Sequence, residues 1–209
     1  MTKTVTRLFD DYSDARSAVR ALEGAGFSRD DISIIANKDS YGGHDRDDDG
    51  INEDGDVTRG ATTGAVLGGV GGLLAGLGLL AIPGLGPIVA AGWLVSTAVG
   101  AAIGGAGGAA TGGIVGALKN AGHDDDEAHV YSEGVRRGGT LVSARVPDDR
   151  RAEAEAILLR HRSVDAATRG ADYRASGWSE FDPNAQPYTA DQIGAERARY
   201  ASHPTTTGL

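Results

Sequence analysis

The chain has 209 residues, no cysteine, 5% aromatic residues and a formal net charge of −9. Without cysteine it can build neither a disulfide framework nor a thiolate metal site. The acidic balance excludes broad contact with phosphates, so no nucleic-acid partner is expected. So few aromatics leave room for one small domain with additional segments.

Residues 1–37 read as the first half of an α+β domain. The N-terminus runs straight into a strand pattern over 4–9 and lacks the form of a signal peptide, which points to the cytoplasm. Asp10, Asp11 and Tyr12 turn the chain, and Ser13 is placed to cap a helix. Ala15, Ala18, Val19 and Leu22 follow the i, i+3, i+4, i+7 spacing of a buried helical face. Gly24 and Gly26 end that helix, and residues 32–36 form a second strand.

Residues 38–59 are an acidic linker, poor in large apolar residues. Asp45, Asp47, Asp49 and Gly50 match positions 1, 3, 5 and 6 of an EF-hand calcium loop, and Asp56 falls at position 12. The match is partial. Position 12 calls for a bidentate Glu, position 8 is Asn52 rather than apolar, and no amphipathic helix enters the loop. Calcium is the weaker reading, and a solvated spacer the simpler account of the run.

Residues 60–118 contain no Asp, Glu, Lys, Arg or His and hold nineteen of the 33 glycines. Two rows recur every fourth residue: Gly64, Gly68, Gly72, Gly76, and then Gly92, Ser96, Gly100, Gly104, Gly108, Gly112, Gly116. Residues four apart share a helical face, so each row predicts a bare stripe. The break at 82–87 carries Pro83 and Pro87. The expectation is a glycine-zipper hairpin, with helices over about 61–81 and 88–118 and lengths near 30 and 45 Å. Glycine costs about 1 kcal/mol per helical position relative to Ala, so close backbone packing must offset the stripes. Three arrangements remain open: a hairpin associated with membrane lipid, both ends on the cytoplasmic side; a self-associating oligomer in water; and a flexible segment. The acidic flanks, with only Arg59 and Lys119 nearby, give a poor positive-inside signal.

Residues 119–170 read as the second half of the α+β domain. The acids after His123 suit a helix start, and Gly138-Gly139 a stop. Residues 140–146 form a third strand. A helix burying Ala154, Ile157 and Leu158 follows Pro147, and 164–168 is a fourth strand. Two strand–helix–strand halves predict a ferredoxin-like (βαβ)2 sandwich, with the hairpin inserted between them. Residues 171–209 are a mostly irregular tail, with one short polar helix over 189–200.

The strings EGVRRGGTLVSARV (133–146), GLLAGLGLLAIPGLGPIVAAG (72–92) and RASGWSEFDPNAQPYTADQI (174–193) resemble one bacterial family. It is the general stress protein or heat-induced stress protein family of the YflT type, in its glycine-zipper variant. The likeness spans most of the chain. It implies a stress-associated protein and carries over no catalytic residue.

The five histidines form no HExxH pair, and neither a GxSxG elbow nor a P-loop occurs. His123 and His129, flanking the 124–127 acids, are a weak metal pair whose simpler role is surface solvation. No enzyme activity and no cofactor are therefore expected. The function expected is a non-enzymatic stress-response protein that self-associates or meets a membrane. The alternative is a ligand-binding or regulatory α+β module that the hairpin oligomerises.

Overall fold

The computed structural model describes residues 2–41, 77–82, 84–97 and 113–201. Five strands form one antiparallel sheet: β1 (Thr2–Phe9), β2 (Ile32–Asn37), β3 (Gly78–Ile82), β4 (Gly86–Gly92) and β5 (Thr140–Pro147). Their order is β1-β5-β2-β4-β3. β5 therefore lies between β1 and β2, pairing Val5 with Ala144 on one side and Ile34 with Val142 on the other.

α1 (Tyr12–Gly24) connects β1 to β2. Ala15, Ala18, Val19 and Leu22 are buried, as their spacing predicts. Its N-cap is Asp11 rather than Ser13: the Asp11 carboxylate accepts from the Ser13 N–H at 2.8 Å. α2 (Lys38–Tyr41) is one short turn after β2. α3 (Gly113–Asn120) and α4 (Asp125–Arg136) precede β5, and α5 (Arg151–Arg160), α6 (Ala166–Ala175) and α7 (Ala190–Ala201) follow it. The N-cap of α4 is Asp124, which accepts from the Glu127 N–H at 2.8 Å, three residues on. α7 opens on a full capping box, with Thr189 N–H donating to Gln192 Oε1 and Gln192 N–H to Thr189 Oγ1.

Side chains alternate across the sheet, so each face builds its own core. On one face Val5, Phe9, Ile34 and Val142 pack under α1 and α5, with Leu22 and Leu158 above them. On the other, Leu8, Ile35 and Leu141 pack under α3, α4 and α6, with Leu118, Val130 and Tyr173. The α+β class holds, and helices cover both faces of the sheet.

Two expectations fail here. Residues 78–81 and 88–92, expected in the two helices, lie in strands, while 93–97 and 113–118 are helical as expected. β4 pairs with β2 from Ser33–Gly92 to Asn37–Ile88, and the Ser33 hydroxyl donates to the Ala91 carbonyl at 2.8 Å. The turn between β3 and β4 closes with Leu85 N–H on the Ile82 carbonyl. Gly84, at φ +77°, takes its third position, as in a type II turn. Gly92, assigned to the second stripe, ends β4 at φ +97°, and a Cβ there would lie 2.2 Å from the Ile32 carbonyl oxygen. It serves a close strand approach rather than a helical zipper.

The expected fourth strand at 164–168 is a single bridge, Val164 to Leu8. Asp165 then caps α6 by accepting from the Thr168 N–H at 2.7 Å, and the chain leaves the sheet. Among the described residues no helix is long and apolar enough to cross a membrane.

Candidate functional site

In an antiparallel ladder the N–H and C=O of one residue point to the same side, and neighbouring residues alternate. Leu8 exchanges both bonds with Val164, N–H to O at 3.0 Å and O from N–H at 2.7 Å. Leu8 therefore faces the outer edge of the sheet, and so do Thr6, Thr4 and Thr2. The Thr6 carbonyl accepts from the Tyr131 hydroxyl at 2.8 Å. Beyond it, no strand among the described residues pairs with the outer edge of β1.

An open groove of about 610 Å³ runs along this edge. Residues 2–7 form its floor, Glu127 and Tyr131 of α4 one wall, and Arg151 and Glu155 of α5 the other. Asp165 to Ala167, where the chain turns away, close one end. The edge exists because the fourth strand stops after one residue.

The α4 wall holds a polar chain. Glu127 Oε2 meets His123 Nδ1 at 2.8 Å, and His123 Nε2 meets Thr6 Oγ1 at 2.7 Å. Thr6 Oγ1 continues to Ser143 on β5. The His123 ring stands edge-on to Tyr131. Carboxylate, imidazole and hydroxyl lie in the order that activates a nucleophile. However, Thr6 is only 4% exposed, and its hydroxyl is shared with buried Ser143. An electrophile has no approach to it. The chain satisfies buried polar groups between α4 and the sheet. Burial also pushes the Tyr131 phenol above its ordinary pKa, keeping it a neutral donor to Thr6.

A second cluster lies at the opposite end of β1. Glu133 is fully buried and accepts from Arg136 Nε at 2.8 Å and from Arg137 Nε at 2.7 Å. Arg137 reaches Glu196 on α7 at 3.0 Å and lies over the Tyr173 ring at 4.2 Å. Burial opposes the Arg137 charge, but hydrogen bonds to Glu133 and Glu196 outweigh it and hold its pKa above the ordinary value. Arg169, almost fully buried, donates to Asp10 at 2.8 Å and stacks on Tyr200 at 3.6 Å. The cavity among these groups is about 10 Å³, room for roughly one water. This cluster fastens α7 to the end of the sheet and is too small for a ligand.

Glu133, Arg137, Arg169 and Glu196 were not singled out from the sequence. The signal for the first two was present in Glu133-x-x-Arg136-Arg137, the i, i+3 and i+4 spacing of helical ion pairs. The expected sites fall differently. Gly116 lies in α3, half-buried, while Gly64, Gly68, Gly72, Gly76, Gly100, Gly104, Gly108 and Gly112 lie outside the described residues. So do the calcium candidates Asp45, Asp47, Asp49 and Asp56. His123 is not a solvated surface group: both its ring nitrogens are engaged within the fold. His129 instead accepts from the Phe181 N–H at 3.1 Å. No group of three or more His, Asp or Glu placed to hold a metal occurs among the described residues. No family model matches the chain, nor does any curated protein or solved structure.

Proposed function

We propose that this chain is a non-enzymatic stress-response protein that works by association, and that it associates by adding an extended strand to the free edge of β1. The observation that carries this reading is the truncated fourth strand. It leaves outward N–H and C=O groups of β1 on the floor of a groove with two helical walls. A sheet edge of this kind recruits strands through main-chain hydrogen bonds. The stress role rests on the family resemblance alone.

The unit carrying the edge is read as a ferredoxin-like sandwich. The bridge at Val164, β1, β5 and β2 lie side by side in that fold's order, with α1 and α5 on one face. The β3–β4 hairpin extends the far side, and α4 and α6 form an added layer. A lipid-facing or zipper role for the glycine stripes rests on residues outside those described.

Thr4→Pro tests the association reading. Its N–H faces the groove, so proline deletes a donor for an incoming strand without breaking the β1–β5 ladder. The reading predicts an unchanged far-ultraviolet spectrum and a lower mass by light scattering than wild type at equal concentration. Equal masses would contradict it.

A further inference from the structure

We infer that the strand accepted by the groove is β1 of a second copy of this chain, running antiparallel about a twofold axis at Thr4. This rests on the strand-addition reading and adds to it the identity and register of the incoming strand.

Charge favours a copy at this place. The chain as a whole carries −9 and resists meeting itself. The groove does not share that excess: Lys3, Arg7 and Arg151 stand against Glu127, Glu155 and Asp165. Arg7 pairs with Asp165 at 3.7 Å and Arg151 with Glu155 at 2.9 Å. Lys3 is exposed and makes no ion pair among the described residues. A second copy brings its own Lys3 to a wall where Glu155 stands.

The ladder then selects one register. Only Thr2, Thr4 and Thr6 point outward, so they must pair with one another and the axis must fall on a residue. An axis at Lys3 sets that lysine against its own mate. An axis at Val5 sets Lys3 against Arg7 of the copy. Like charges directly opposite destabilise a sheet pair. An axis at Thr6 needs the Leu8 edge, which Val164 already holds. An axis at Thr4 sets no like charges opposite: Thr4 meets Thr4 and Lys3 meets Val5. Threonine pairs across strands are favourable. Thr6, 4% exposed with its carbonyl accepting from Tyr131, lies at the closed end of the edge, so the Thr4 pair carries the contact.

The absence of cysteine makes an introduced thiol unique. Thr4→Cys in the full chain, oxidised with copper phenanthroline at micromolar protein, is expected to give a disulfide-linked dimer as the main product. Paired Cα atoms about 5.5 Å apart lie within disulfide range. Lys3→Cys alone is expected to link far less, because only an axis at Lys3 would set that position against itself. Equal linking at Lys3 and Thr4 would overturn the register. No link at Thr4, combined with a mass still lowered by Thr4→Pro, would overturn β1 as the incoming strand while strand addition stands. No link and no mass change would overturn both.

Discussion

Leu8 and Val164 are joined by two backbone hydrogen bonds, and they are the whole of the strand that should have closed this edge of the sheet. Proline tests their asymmetry with Thr4. Val164→Pro removes the N–H that serves the Leu8 carbonyl at 2.7 Å, in a residue 5% exposed. It should destabilise the monomeric fold by about 1–3 kcal/mol, the cost of a buried group left unpaired. Thr4→Pro should cost distinctly less, since its N–H has no partner among the described residues. Urea unfolding below the association range compares the two. Equal losses would mean that the Thr4 N–H bonds inward.

Glu133 is the most demanding residue in the fold. It is fully buried and holds two arginines. Replacing it with Gln or Ala leaves Arg137 buried without its main counter-charge. The expected loss is about 3–5 kcal/mol by chemical denaturation, against little for an exposed pair such as Lys119–Asp125. Glu196→Gln, at the other end of Arg137, should instead release α7. Limited proteolysis should cut that variant near 190–201 before any other segment.

Two glycines separate backbone from side-chain constraint. A methyl at Gly92 would meet the Ile32 carbonyl at 2.2 Å with φ at +97°. A methyl at Gly134 would meet the end of the Leu8 side chain at 2.6 Å, which can shift. Gly92→Ala should therefore be the worse change, by at least about 1 kcal/mol. Thermal melts of the two variants decide the order.

Burial holds the Tyr131 and Tyr173 phenols above their ordinary pKa. A folded-state pKa raised above the unfolded one gives stability that is complete below about pH 10 and lost as pH rises through the folded value. Base unfolding should therefore start above pH 10. Absorbance at 295 nm should show part of the six tyrosines ionising in one step with loss of the circular dichroism signal. Tyr131→Phe should shrink that step. Independent titration of every phenol near 10 would contradict it.

Much of the α+β unit was legible because its signals are local. The spacing of Ala15, Ala18, Val19 and Leu22, the acids before α4 and the polar stretch of α7 each specify one element and its ends. The β3–β4 hairpin was not legible. Short apolar runs such as Leu79–Ile82 and Ile88–Ala91 suit a buried strand or a helix equally, and periodicity alone does not separate them. The fourth strand was misread because Val164 is strand-like while Asp165, one residue later, caps a helix. The groove could not be read in advance at all. Which edge of β1 stays open depends on strand order, a property of pairings more than 130 residues apart such as Thr6 with Ser143.

Amide hydrogen exchange at Thr4 tests the claim of a free, strand-accepting edge most directly. That N–H has no partner among the described residues and gains one on association. Exchange resolved by residue across a hundredfold range of concentration should show Thr4 fast when dilute and slowed at least tenfold when concentrated, with Val5, bonded to β5 throughout, slow at both. Fast exchange at Thr4 at every concentration would contradict the account.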